Sequence, residues 1–245
     1  MNERPALHSP EHTQHLLQDL VMTCTGLDDF LQRLVEVASG ALADDPGQVM
    51  VGVTVLRQRA KAAITGTCPA AHTLTAIQYR FGDGPAVQAA GGETVEVADF
   101  LRSADFPLYG TAALQRGIRS ALGVPVPLDG PTTAVLTYYA REPRAFPEET
   151  VHRAEQFTAT AATPLGLTVR LAGLTDKTEQ LAAAMESRTT IDLAAGVIMA
   201  RRGCTQDEAI GLLRAASSSR NMRLRDLASN VLASTVEAPV RTHFD

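Results

Sequence analysis

The chain has 245 residues, 45% hydrophobic and 20% charged, with a net charge of −5 and a pI near 5.7. That length holds two domains with real cores, and that composition excludes a disordered chain. The acidic total excludes a protein that coats nucleic acid over its whole surface, so any nucleic-acid site has to be a local patch.

Residues 1–12 are polar and expected to be disordered. They carry no apolar run of signal-peptide length, and no stretch of the chain approaches the roughly 18 apolar residues of a membrane span. A cytoplasmic protein without membrane contact is expected. Residues 13–22 and 27–42 read as amphipathic helices. Leu31, Leu34, Val35, Ala38 and Leu42 share one face of the second, and Asp28 or its neighbour can cap it. Ala43, two aspartates, Pro46 and Gly47 make a turn. Residues 48–57 are rich in β-branched side chains and form a strand, with 61–67 as hairpin partner.

A short helix is expected over 73–79. The loop Gly82, Asp83, Gly84, Pro85 opens another over 85–90, with proline at its first position. A strand at 94–97, a helix at 107–116 ended by Gly117, and strands at 120–127 and 132–139 follow. Phe146 and Pro147 then open a long helix. This order fits an α/β sandwich of the α+β kind, with a central antiparallel sheet between helical layers.

Residues 147–202 read as helix almost throughout. Pro164 removes one backbone hydrogen bond, so a kink, or a restart capped by Thr163, is expected there. Leu171, Leu174, Thr178, Leu181 and Met185 follow 3-4 spacing, a coiled-coil seam of about two heptads. The same helix of a second chain is the simplest outlet for those side chains, and a homodimer is expected.

The C-terminal segment reads as three helices on one small core. Ile191, Ala194, Val197 and Ile198 stripe the first, which Gly203 ends. Thr205 and Glu208 form a capping box, so a second helix starts there, striped by Ala209, Ile210, Leu212, Leu213 and Ala216. Residues 217–221 read as a polar turn. Leu224, Leu227, Ala228, Val231 and Leu232 line the third helix.

Between positions 187 and 225 stand seven arginines (188, 201, 202, 214, 220, 223, 225) against three anions (Asp192, Asp207, Glu208), a local net of +4 in an acidic chain. Phosphate-binding surfaces need such an excess. Each cation also has a plainer reading. Arg188 can pair with Asp192 one turn on. Arg201 and Arg202 fall in a last helical turn, where cations suit the dipole. Arg220, Arg223 and Arg225 are placed at the start of the third helix, where a cation is slightly costly, and that points to an expected anion.

Arg188, Ile191, Ala194 through Met199, Glu208, Ala209, Leu213, Arg214, Ala216, Asn221, Leu224 and Ala228 keep an order and spacing over about 50 residues that resembles the ANTAR domain, an RNA-binding module of bacterial transcription antiterminators. Many members carry a lysine where this chain has Ala195, which removes one RNA contact. Gln78 and Tyr79, Gly82 through Ala86, 95–100, 117–126, the tyrosine-bearing strand, and Ala145 with Phe146 resemble a GAF domain over residues 13 to about 163. Many of its relatives have cysteine at Ala86, so the nearest thiol or tetrapyrrole anchor is absent.

The resemblance implies a GAF sensor at 13–163, a coiled-coil linker helix at 164–186, an all-α three-helix ANTAR domain at 187–235 and a tail at 236–245. It implies a regulator of transcription by antitermination that binds hairpins in nascent RNA. Arg188, Arg202, Arg220, Asn221 and Arg223 are the expected RNA-binding residues, and Leu171, Leu174, Leu181 and Met185 the expected dimer interface. The signal at the GAF domain is a small molecule, a protein partner or none. A DNA-binding or protein-interaction output domain is the alternative.

Other chemistry finds little footing. Cys24, Cys68 and Cys204 lie far apart with no CxxC pair, and the six histidines make no ligand pair within predicted helices, so neither a metal nor another cofactor is expected. Gly82 to Gly84 lack the lysine and serine of a phosphate loop, and a tight turn is the plainer reading. Ser120, His72 and Asp99 are scattered without a nucleophile elbow. No enzyme is expected.

Overall fold

A computed structural model describes residues 10–42, 48–58 and 60–236. The chain forms two compact units, Met1–Ala172 and Gly173–Asp245.

In the first unit, β1 (Val49–Leu56), β2 (Ala63–Gly66), β3 (Val95–Val97), β4 (Ser120–Val126) and β5 (Thr133–Ala140) make one sheet in the order β2-β1-β5-β4-β3. Every pairing is antiparallel, and β1 aligns with β5 along its whole length, Val53 opposite Leu136. The helices are α1 (Pro10–Thr23), α2 (Leu27–Leu42), α3 (Pro69–Phe81), α4 (Pro85–Ala89), α5 (Pro107–Leu114) and the first part of α6 (Glu148–Arg202).

Strand alternation divides these helices between the two faces. Val51, Val53 and Val55 of β1, Leu122 and Val124 of β4, and Leu136 and Tyr138 of β5 pack on Phe30, Leu31 and Leu34 of α2 and on Phe157, Ala161 and Leu165 of α6. Side chains one residue out of phase face the other way. Met50, Ala121 and Tyr139 meet Leu74 and Ile77 of α3 and Tyr109 of α5, while Val135 meets Ala86 and Ala89 of α4. Covering both faces explains why the central strands read as apolar runs and not as clean alternation. The second face is unusually close. A Cβ at Gly123 would lie 2.8 Å from the Pro85 carbonyl oxygen, so α4 rests directly on the backbone of β4.

Several expectations need correction. Residues 10–12, expected to be disordered, are the first turn of α1. Helix α3 starts at Pro69, four residues before the expected 73, because proline fits the first helical position and Cys68 supplies an extended N-cap. No restart occurs at Thr163: α6 runs unbroken through Pro164. The missing hydrogen bond costs about 3 kcal/mol. Against it stand Phe157, Ala161, Leu165 and Val169, all buried around the proline, and a fully buried large apolar side chain contributes about 1.5–3 kcal/mol. Packing therefore holds the helix together. The expected turn at 43–47, residues 1–9 and the tail from 237 lie outside the described residues.

The second unit contains the rest of α6 with α7 (Gln206–Ser219) and α8 (Leu224–Val236). Ala194, Ala195, Ala209, Leu213, Leu227 and Ala228 form its core. Gly203, at φ 64, follows the last turn of α6. The capping box forms as expected: Thr205 N–H donates to Glu208 Oε2 at 2.8 Å, and Glu208 N–H donates to Thr205 Oγ1 at 3.4 Å. Residues 217–219, expected as turn, are the last turn of α7. No helix among the described residues is long and apolar enough to cross a membrane.

Candidate functional site

The corner between α7 and α8 is built by a helix stop. Arg220 caps α7 at φ −97, and Asn221 follows in the left-handed region at φ 49. Met222 N–H donates to the Ser217 carbonyl and Asn221 N–H to the Ser218 carbonyl, the paired bonds of a Schellman motif. The Arg223 carbonyl accepts from Leu227 N–H, which makes Arg223 the N-cap of α8. Asn221 thus has a local reason to be here, since asparagine tolerates the left-handed conformation. Arg220, Asn221 and Arg223 are all exposed.

This geometry changes one argument from the sequence. Arg220 does not stand at a helix start; it closes α7, where a cation is favourable. Only Arg223 and Arg225 sit at the costly end of α8, next to Asp226. Arg225 is engaged by Glu186 of α6 at 3.0 Å. That ion pair ties the first turn of α8, which Arg223 caps, to the turn of α6 that carries Arg188. Arg202 does not join them. It lies 14 residues beyond Arg188 on the same helix, about 21 Å away at 1.5 Å per residue. Arg188 makes the plainer contact, with Asp192 at 3.8 Å, while remaining 87% exposed, so this ion pair contributes little.

Two further observations bear on charge and contact. Across residues 179–232 the seven arginines face six carboxylates, because Glu179, Glu186 and Asp226 join the three counted between 187 and 225. Over the whole segment the positive excess is therefore a single charge. Ala195 is fully buried in the three-helix core. In this chain that position packs against neighbours and does not face solvent.

Leu171, Leu174, Leu181 and Met185 are all exposed, the last two 67% and 71%. They keep their 3-4 register on α6.

Between the sheet and α3 to α5 lies a polar layer that the sequence reading did not single out. Gln78 Oε1 accepts from Ala86 N–H at 2.6 Å, and its Nε2 donates to the Tyr139 hydroxyl at 2.9 Å. The Thr75 hydroxyl donates to the Ala71 carbonyl, leaving its oxygen to accept from Tyr139 at 2.9 Å. The hydroxyls of Thr54, Tyr79, Tyr109 and Thr137 are also buried here. Tyr79 lies near Thr54, and Tyr109 and Thr137 lie near Tyr139, but none reaches full hydrogen-bond geometry. Burial pushes Tyr139 up to about 12 and raises Tyr109 well above its ordinary value, with the neighbouring Tyr139 adding to the second shift. The layer is therefore neutral at physiological pH. Its sequence signal was a run of threonine, tyrosine and glutamine at strand and helix positions that otherwise read as apolar.

The other candidates are accounted for structurally. Gly82 and Gly84 have φ of 63 and 133, as a tight turn requires. Asp83 Oδ2 accepts from the N–H groups of Leu108 and Tyr109 and caps α5 from a distant loop. Asp99 holds Arg119 through two bonds of 2.9 and 2.8 Å, the Ser120 hydroxyl donates to the Glu142 carbonyl, and His72 is exposed, so the three do not assemble. Among the described residues no group of three histidine, cysteine or carboxylate side chains could hold a metal ion.

Comparison with known proteins follows the same division. The GAF domain family matches residues 24–164, and the ANTAR domain family matches residues 179–232. No curated protein matches the chain. Among solved structures the chain is similar to a free methionine-R-sulfoxide reductase of Neisseria meningitidis, at 20% identity, covering 70% of this chain and 95% of that one with a TM-score of 0.47. It is similar to the GAF domain of a phosphoenolpyruvate-protein phosphotransferase of Coxiella burnetii, at 15% identity over 71% and 99% with a TM-score of 0.48. A LuxR family transcription factor of Burkholderia cenocepacia, described as N-acylhomoserine lactone dependent, gives 13% identity over 66% and 97% with a TM-score of 0.49. What those proteins bind or transform is said of them alone. With a GAF domain over more than half its length and an ANTAR domain after it, the chain belongs to the family of regulators that join a GAF sensor domain to an ANTAR domain.

Proposed function

We propose that the protein is a cytoplasmic, homodimeric regulator of transcription by antitermination, and that its ANTAR domain binds hairpins in nascent RNA under control of its GAF domain. The observation that carries the reading is the exposed corner of Arg220, Asn221 and Arg223 in a segment, 179–232, whose seven arginines otherwise face six carboxylates. An RNA hairpin offers loop bases and phosphates, and a small basic helical surface is adequate for both. No aromatic residue lies between 175 and 235, so stacking on bases falls to arginine planes. Arg202 contributes at most a separate phosphate contact at the far end of α6.

In this reading residues 13–163 sense, 164–186 link and pair with a second chain, and 187–235 bind RNA. The sensor regulates and does not catalyse. The pairing test is Leu174→Lys with Leu181→Lys, which should yield monomers in sedimentation.

The decisive assay is a gel-shift series of the full chain with labelled RNA hairpins and with duplex DNA. Preference for hairpins supports the reading. Preference for duplex DNA would make α8 a recognition helix, and binding to neither would make the three helices a protein-interaction module.

A further inference from the structure

We propose that the groove between α6 and the turn after β4 is a binding site for a free amino acid, held by its two charged ends. Binding here is read on the protein itself and does not rest on the RNA reading above.

The groove measures about 330 Å³, at the small end of the range for ligand sites. Its walls are the turn 127–132 and a stretch of α6. The turn is stiff. Pro127 and Pro131 each fix a backbone angle, and Gly130 takes the left-handed region at φ 86. It leans on the helix at Gly166, where an added Cβ would lie 3.6 Å from Leu128 Cδ2. Gly166 lines the groove without a side chain to fill it.

Polar side chains with no other use line the same groove. Asp129 on the turn and Arg170 on α6 are in no ion pair among the described residues, with each other or with a neighbour. The hydroxyls of Thr132 and Thr163 are likewise uncommitted. For Thr163 this breaks a pattern, since Thr158, Thr160, Thr168 and Thr178 each donate to a carbonyl of their own helix. Opposite charges that line one cleft without meeting are matched by a molecule that carries both. An ammonium group suits Asp129 and a threonine oxygen, while a carboxylate suits Arg170, whose guanidinium can hold it by two parallel bonds. Leu128, Ala162 and Leu167 offer apolar contact to the side chain of the ligand. A nucleotide would meet the like charge of Asp129, and a polyamine that of Arg170, so a ligand of one sign is disfavoured.

The test melts the full chain with each of the common α-amino acids, β-alanine and γ-aminobutyrate at about 10 mM. At least one should raise the melting temperature by about 2 °C or more, and calorimetry then gives its Kd. Asp129→Asn and Arg170→Gln change side chains without partners in the chain, so the free proteins should melt like wild type. Each should weaken binding at least about tenfold, as loss of a charge-assisted hydrogen bond does. N-acetylation of the bound amino acid should weaken it equally in wild type and add nothing further in Asp129→Asn, and esterification should behave the same way toward Arg170→Gln. A panel in which no amino acid shifts the melt overturns the site. Binding that survives both substitutions places the amino acid elsewhere and overturns it too, as do losses that simply add. Hairpin binding is a separate readout, so either reading can fail without the other.

Discussion

Substituting lysine at Ala195 separates two accounts of the ANTAR unit. The family resemblance makes Ala195 a missing cation, and on that basis Ala195→Lys should tighten RNA binding. The structure makes it a core position with no exposed surface, packed among Ala194, Ala209, Leu213, Leu227 and Ala228. Three extra carbons and an ammonium in such a site force neighbours apart, at a cost of about 1–3 kcal/mol. If the stem cannot carry the ammonium to water, desolvation adds to that cost. A loss of about 2 kcal/mol lowers the melting temperature of a domain this small by roughly 8–16 °C. Ala200→Lys is the control, because residue 200 is exposed on the same helix and the change should leave melting nearly unaltered. Thermal melts followed at 222 nm, with hairpin titrations at several salt concentrations, read both effects. An Ala195→Lys protein that melts like wild type and gains about one ion in its salt slope would refute the packing account.

Other expectations follow from single contacts. Arg220→Ala and Arg223→Ala should each reduce the salt dependence of hairpin binding by roughly one ion with helicity unchanged, and wild-type slopes in both would move the binding face elsewhere. Thr205→Ala removes one arm of the capping box and should cost about 1 kcal/mol, read as a lower melting temperature, while Thr205→Ser should largely retain stability. Hydrogen bonding to Arg119, then to Leu101 N–H, holds the Asp99 carboxyl below its ordinary value. Its contribution to stability is therefore complete above the ordinary carboxylate range and lost as pH falls below it, so Asp99→Asn should flatten the acid limb of a stability–pH curve. An unchanged acid limb would show that this ion pair does not couple to folding.

Much of the fold was legible because its signals are local. The capping box at Thr205 and Glu208 fixed the start of α7, and the valines of β1 announced a strand. What escaped the sequence depends on contacts between distant residues. Asp83 looks like a loop residue, yet it caps a helix 25 positions away. Pro164 looks like a break, because burial on either side of it is invisible to local propensity. Arg220 looked like a helix-start cation because the polar run 217–221 hid a last helical turn. The expected RNA-binding residues were legible as charges, but the Arg225–Glu186 pair, which ties the start of α8 to the turn of α6 that carries Arg188, crosses two helices and was not. The polar layer was invisible for a related reason. Threonine and tyrosine on a strand announce only β propensity, and their meeting with Gln78 and Thr75 is a matter of tertiary packing.

That layer has a built-in polarity. The chain of bonds from Gln78 to Tyr139 to Thr75 to the Ala71 carbonyl runs one way, since each hydroxyl spends its single hydrogen on the next oxygen. Gln78 is itself oriented, because its carbonyl end is claimed by Ala86 N–H. Glutamate at 78 would offer no donor to Tyr139 and would ask the whole sequence of protons to turn round, which Thr75 cannot do while it serves Ala71. The four hydroxyls beside this fixed line have no committed hydrogen and can rotate to give or to accept. The layer thus combines one fixed row of bonds with four hydroxyls whose hydrogens are free to reorient.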